Sequence, residues 1–252
     1  GGKWVGAKRN PEPKPQDTLD LSQLPPELLM MLLSHVPPRV LLGRCRQVCR
    51  CWDALVDCPT LWLIILARDH RALWPVLQTC LPPASDARPS ILSRFCERRP
   101  IGQNLIQNLK GKGKEPRKGV TLNLPCRQGW HHKKKVVDLE EEGLWPELLD
   151  SGKLEICVSD WWTDKQCTDC LYCLTVQLLD ANQGVLHQFA PLPQPDGTHP
   201  FLCLQVSHVF SNLKKGVRFV SLEHWIRDMR FLSEQYGVYL CNSSVIVMTC
   251  QS

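Results

Sequence analysis

Leu24-Pro25-Pro26-Glu27-Leu28-Leu29-Met30-Met31-Leu32-Leu33-Ser34-His35-Val36-Pro37-Pro38 is the stretch from which the fold is read. Leu24, Leu28, Leu32 and Val36 recur every fourth residue and so share one helical face, and Leu29 and Leu33 widen that face. Pro25 and Pro26 suit a first turn, where a missing N–H forfeits no bond, and Ser22 can cap it. Pro37 and Pro38 stop the helix. A second helix is predicted at once, with Leu41, Cys45, Val48, Trp52 and Leu55 spaced four, three, four and three. Pro59 closes it, and Thr60 caps a short third helix. So small a unit cannot cover three apolar stripes by itself. One face either docks into a partner or packs on the rest of the chain, and periodicity leaves both open.

Outward from this unit, residues 67–98 carry a weaker helical pattern around Leu73, Val76 and Leu77 and again at Ile91, Leu92 and Phe95, and read as a helical linker. After Gly111 the period changes to two. Tyr172, Leu174, Val176 and Leu178 alternate with Cys173, Thr175 and Gln177, as a half-buried strand requires. Asp180 to Gly184 reads as a turn and Val185 to Phe189 as the strand pairing back. Leu202, Leu204, Val206, His208 and Phe210 alternate again, Lys214 to Gly216 turns the chain, and Val217, Phe219 and Ser221 continue on the returning strand. Ser244 to Met248 supplies a last strand, with Asn242-Ser243-Ser244 as the turn into it. A short helix is expected at Leu144 to Leu149, with Glu140 to Glu142 as its solvated start. The fold class is therefore α+β: a small all-α three-helix unit, a helical linker and an antiparallel β-sandwich.

Composition sets the class of partner. The chain of 252 residues has 43% hydrophobic and 22% charged residues and a formal charge of +5, as an ordinary globular protein does. The longest apolar run, Leu61 to Ala67, is too short for a membrane span. Residues 1–18 mix Lys, Arg, Pro and acidic groups without an apolar stretch and read as a disordered tail without a secretory signal. The 14 cysteines are then read as reduced thiols of a cytoplasmic protein. Lys110, Lys112, Lys114, Arg117, Lys118, Lys133, Lys134 and Lys135 crowd the middle. Without interleaved aromatics they read as a solvated linker followed by a basic strand or loop, and nucleic acid is not an expected partner. Cys167, Cys170 and Cys173, with Cys126, His131 and His132, lack two paired ligand clusters at zinc spacing and read as structural thiols. No phosphate loop, nucleophile elbow or cofactor motif stands out, so no cofactor, metal or catalytic residue is assigned.

Leu24-Pro25-Pro26-Glu27-Leu28-Leu29, Leu32-Leu33-Ser34-His35-Val36-Pro37, Arg46-Gln47-Val48-Cys49-Arg50-Cys51-Trp52 and Leu61-Trp62 together resemble the F-box, over residues 19–66. In that family the helices insert into the Skp adaptor, which sits on a cullin carrying the catalytic RING subunit. The resemblance implies adaptor-binding roles for Leu24, Pro25, Leu28, Leu32, Val36, Leu41, Leu42, Cys45, Val48, Cys49, Trp52, Leu61 and Trp62. It implies a substrate receptor of a ubiquitin ligase, without catalysis of its own.

Arg99-Pro100-Ile101-Gly102-Gln103-Asn104-Leu105-Ile106, Val137-Asp138-Leu139, Glu142-Gly143-Leu144-Trp145-Pro146, Asp160-Trp161-Trp162 and Gly216-Val217-Arg218-Phe219-Val220 resemble the F-box-associated domain of the sugar-recognising F-box proteins, over residues 99–252. That resemblance implies a β-sandwich and, as cargo, glycoproteins bearing high-mannose N-glycans. Its late loop maps glycan contacts onto Phe231, Leu232, Ser233 and Tyr236. The chain departs from the family in three places. Residues 107–136 replace a longer Gly- and Trp-rich stretch. Leu232 stands where a Trp plane is expected. Thr198 to Phe201 stand in place of a Trp-Asn-Asn stretch. Three readings of the cargo stay open: a glycan, a protein surface, or no delivery at all.

Overall fold

The computed structural model describes residues 21, 24–83, 89–108, 130–164, 170–191, 203–228 and 238–250. The tail, Ser22, the lysines and arginine between 110 and 118, Cys126, Cys167, Thr198 to Phe201, and Phe231, Leu232, Ser233 and Tyr236 lie outside them.

The opening stretch forms α1 (Pro26–Ser34), with Pro26 at the first helical position and Pro25 before it. Next come α2 (Pro38–Gly43), a 3₁₀ turn (Cys45–Gln47), α3 (Arg50–Asp57) and α4 (Pro59–Asp69). The single second helix expected over residues 41–55 is thus in three pieces. Cys49 is fully extended, at φ −161° and ψ 169°, and resets the helix direction. The break lets Leu41 and Cys45 face the same core as Leu55 and Val56 while Val48 turns out to water. Arg46 holds the pieces together, pairing with Asp57 and lying 3.6 Å from Asp53. Pro59 opens α4 instead of closing the helix before it, because a proline at the first helical position gives up no hydrogen bond.

The linker contributes α5 (Trp74–Leu77) and α6 (Ile91–Arg98). Ser90 caps α6, its hydroxyl accepting from the Ser93 N–H at 3.2 Å. The buried face of α6, Leu92, Phe95 and Cys96, lies against α4 and against the turn that precedes the short helix α8 (Pro146–Leu149). Phe95 meets Trp145 at a ring separation of 5.4 Å. Gly143 makes this approach possible. Its φ is +101°, and a Cβ there would lie 2.8 Å from the Phe95 backbone nitrogen. Glu142 is consequently no solvated helix start. It is buried and receives the Arg98 guanidinium at 2.8 Å.

Among the described residues seven strands follow: β1 (Trp130–Asp138), β2 (Leu154–Asp164), β3 (Cys170–Leu179), β4 (Val185–Phe189), β5 (Cys203–Phe210), β6 (Phe219–Asp228) and β7 (Val238–Thr249). They form two antiparallel sheets, of order β1-β6-β3-β4 and β5-β2-β7. The predicted alternation holds in β3, where Leu174, Val176 and Leu178 are buried, and β4 pairs back on it as expected across the Asp180 to Gly184 turn, which closes with the Asp180 N–H on the Gly184 carbonyl. The predicted β5–β6 hairpin does not form. After β5 the chain crosses to the other sheet, and β6 pairs with β1 and β3, burying Val220 and Leu222. Asn242-Ser243-Ser244 is likewise no turn but the middle of β7. A short helix, α7 (Leu105–Asn108), follows a segment stitched to β7 by Ile101 and Asn104. One continuous apolar core runs from Leu29 in α1 to Val247 in β7. Among the described residues, no helix is long and apolar enough to cross a membrane.

Candidate functional site

The helical unit divides its apolar side chains by depth. Leu29 and Leu33 of α1 are buried against α4, whose Leu61, Trp62, Ile65 and Leu66 are enclosed. The Trp62 indole N–H donates to the Val56 carbonyl at 2.7 Å, so this ring is satisfied inside the protein. The other side of α1 is bare. Leu28 is 55% exposed, Met31 54% and Leu32 51%, and Val48, at the break after the 3₁₀ turn, is 59% exposed. Trp52 is half buried, and its buried indole N–H has no acceptor among the described residues. A buried N–H without an acceptor costs about 1–3 kcal/mol.

The residues expected to meet an adaptor therefore part into two groups. Pro25, Leu28, Leu32 and Val48 are exposed, and Leu24, Val36, Leu42, Cys49 and Trp52 are half buried. Leu41, Leu61 and Trp62 are wholly enclosed and Cys45 nearly so. In this packing the second group cannot touch a partner; it sets the spacing of the helices that present the first. Met31 was not among the expected residues. The signal was available, since it stands three residues after Leu28 on a helix and so on the same face.

In the sandwich, register collects the undescribed connections at one end. Trp130 at the start of β1 is opposite Arg227, Asp164 at the end of β2 is opposite Val238, Cys170 is opposite Asp228, and Cys203 is opposite Thr163. The connections through 109–129, 165–169, 192–202 and 229–237 all join the strands at that end. The expected glycan contacts Phe231, Leu232, Ser233 and Tyr236 fall on the last of these, outside the described residues. The opposite end is closed by tight structure. There Asp150 accepts both Arg218 guanidinium nitrogens, at 2.9 and 3.0 Å, and the Gly216 N–H at 2.8 Å. The Arg218 hydrogen bonds hold the Asp150 carboxyl below its ordinary range.

Just beneath the connection-bearing end, a polar group spans the two sheets. Asp160 of β2 and His224 of β6 are both buried, with Oδ2 and Nδ1 3.3 Å apart. The Ser243 hydroxyl donates to the other Asp160 oxygen at 2.7 Å. Asn104 ties this layer to the segment before α7, donating to the Ser243 carbonyl at 3.1 Å and accepting from the Val245 and Ile106 N–H groups. The trio is not arranged for nucleophilic attack, because the serine hydroxyl is committed to the carboxylate and not to the imidazole. Its effect is to pin the two sheets where the connections leave them. Lys134 and His132 on β1 engage Glu223 on the outer face, at 2.7 and 3.5 Å, and Lys134 holds the Glu223 carboxyl below its usual range. The middle lysines thus include a basic strand, paired in part with its neighbour. Cys173, on β3, has its thiol pushed up by burial. Among the described residues no group of His, Cys, Asp or Glu is arranged to hold a metal ion.

Comparison with known proteins agrees with both halves. Residues 21–68 match the F-box-like family model, and residues 115–247 match the F-box associated region, which begins inside the segment 107–136 expected to be atypical. The chain is 55% identical to F-box only protein 27 of Macaca fascicularis, covering 98% of each chain. It is 48% identical to F-box only protein 27 of Mus musculus over the full length of both, and 42% identical to F-box only protein 17 of Homo sapiens over 96% of this chain and 98% of that one. The alignment with the mouse protein spans 279 positions against the 252 residues here, so 27 positions of that relative have no counterpart in this chain.

Proposed function

We propose that this chain, which belongs to the F-box proteins carrying an F-box associated region, is a non-catalytic substrate receptor of a cullin-RING ubiquitin ligase. It docks a Skp-type adaptor through the α1 ridge and presents cargo at the connection-bearing end of the sandwich. The observation that carries the reading is that ridge: Leu28, Met31, Leu32 and Val48 stay in water although the unit behind them has a complete core. Full burial of such a side chain is worth about 1.5–3 kcal/mol, so half of that from four residues supplies roughly 3–6 kcal/mol toward an association cost of about 4–15 kcal/mol, and the half-buried residues beside the ridge must contribute the rest. Transfer of ubiquitin then needs only proximity of cargo to the ligase. A cytoplasmic setting suits the free thiols from Cys45 to Cys250.

Glycoproteins with high-mannose N-glycans are the cargo that the family relationship supports first. A second reading, cargo held by protein contacts, is favoured by Leu232 in place of a Trp and by the 27 positions without counterpart. Capture from a lysate with and without glycosidase treatment separates the two. Glycan cargo disappears after treatment, and protein-held cargo stays. The adaptor half is tested by co-purification. Leu28→Ala with Trp52→Ala is expected to abolish capture of the adaptor, and Leu28→Ala with Leu32→Ala to weaken it more than about tenfold at an unchanged melting temperature. Undiminished capture by both pairs would sink the docking reading.

A further inference from the structure

A cleft of about 500 Å³ lies between the start of α2 and the end of α6, its lining including Pro37, Pro38, Arg39, Glu97, Arg98 and Arg99. It belongs neither to the exposed ridge of α1 nor to the connection-bearing end of the sandwich. Its lining carries three guanidinium groups and one carboxylate. Arg98 is held by Glu142 at 2.8 Å. Arg39 and Arg99 are solvent-exposed, and neither has a carboxylate within ion-pair distance among the described residues. Asp69, a carboxylate within electrostatic range of Arg99, is already bound to Arg68 at 2.7 Å.

The backbone at Arg99 is the second observation. It ends α6 in the left-handed region, at φ +50° and ψ +58°, and precedes Pro100. Glycine or asparagine ordinarily takes such a position, since a larger side chain is strained there. The arginine in that conformation is one of the residues lining the cleft. Strain of this kind gathers where a side chain serves a ligand. Planar guanidinium forks match the oxygens of a phosphate, and two unpaired forks beside a third favour a dianion over a single carboxylate. The volume also suits a phosphate with the side chain that bears it.

We propose that this cleft binds a phosphate group, free or esterified to a peptide side chain. Calorimetric titration of the full chain with inorganic phosphate, with chloride holding ionic strength constant, is expected to show saturable binding. Arg39→Ala with Arg99→Gly should weaken it at least about tenfold, and Glu97→Gln should tighten it several-fold. Arg99→Gly also relieves the left-handed strain, so this variant keeps or raises its melting temperature, and loss of binding cannot be ascribed to unfolding. A phosphoserine peptide that binds more tightly than inorganic phosphate identifies the esterified form as the ligand, and equal affinity identifies free phosphate. Three results overturn the proposal: no saturable binding by either probe, undiminished affinity in the double arginine variant, or equal binding of the same peptide with aspartate in place of phosphoserine.

Discussion

The helical unit and the sandwich use their apolar residues in opposite ways. In β3, Val176 and Leu178 stand two apart and both are buried, as the period of a strand demands. In α1, Leu28 and Leu29 are adjacent and equally apolar, yet Leu28 is half exposed and Leu29 is enclosed. A sheet in a sandwich has one covered face, and a one-residue shift moves every side chain to the wrong side. A helix has an apolar arc wide enough to serve two masters, with one flank for its own core and the other left for a partner. Rigidity is thus invested in the sandwich and adhesion in the helices.

The largest expected effect is inside the sandwich. Asp160→Ala removes the buried acceptor of both Ser243 and His224, and breaking a buried pair of this kind costs about 3–5 kcal/mol. Urea unfolding should show that loss, while the purified variant, below its midpoint, still captures the adaptor. Loss of adaptor binding in that variant would mean that the two halves are coupled.

Next, Leu33→Ala should cost about 2–5 kcal/mol, as buried leucines do, whereas Leu28→Ala should change stability by less than about 1 kcal/mol and still weaken adaptor capture. Equal stability losses from the two substitutions would erase the distinction between the flanks of α1.

The smallest effect concerns the closed end of the sandwich and depends on pH. Asp150 has its folded pKa lowered, first by its hydrogen bonds from Arg218, so its contribution is fully present above the unfolded carboxylate value and is lost as pH falls through the lowered folded value. Arg218→Ala should therefore cost about 1 kcal/mol near neutral pH and progressively less as pH falls below the ordinary carboxylate range, measured by thermal unfolding. A cost unchanged by acid would assign the role of Arg218 to packing.

Much of this organisation was legible beforehand. The spacing of Leu24 to Val36 announced a helix, alternation announced β3 to within a residue, and the turn at Asp180 to Gly184 announced β4, because these signals are local. The β5–β6 pairing was not legible. A strand's alternation states which side is apolar and says nothing of which sheet it joins. Nor was the break at Cys49, since the spacing from Leu41 to Leu55 fits one straight helix as well as it fits the three pieces that let Leu41 and Leu55 share a core. Glu142 read as part of a solvated helix start, and only packing shows it buried beside Arg98, as it shows Asp160 buried beside His224.

By itself, then, the sequence determined the elements, the two families of pattern and the kind of partner each half resembles, because periodicity and motif are written in neighbouring residues. The tertiary structure decided which leucines remain in water, which carboxylates are enclosed, and how Pro37, Pro38 and Arg39 come to face Arg98 and Arg99. Those outcomes depend on contacts between residues far apart in the chain, where burial is settled by what comes to lie opposite.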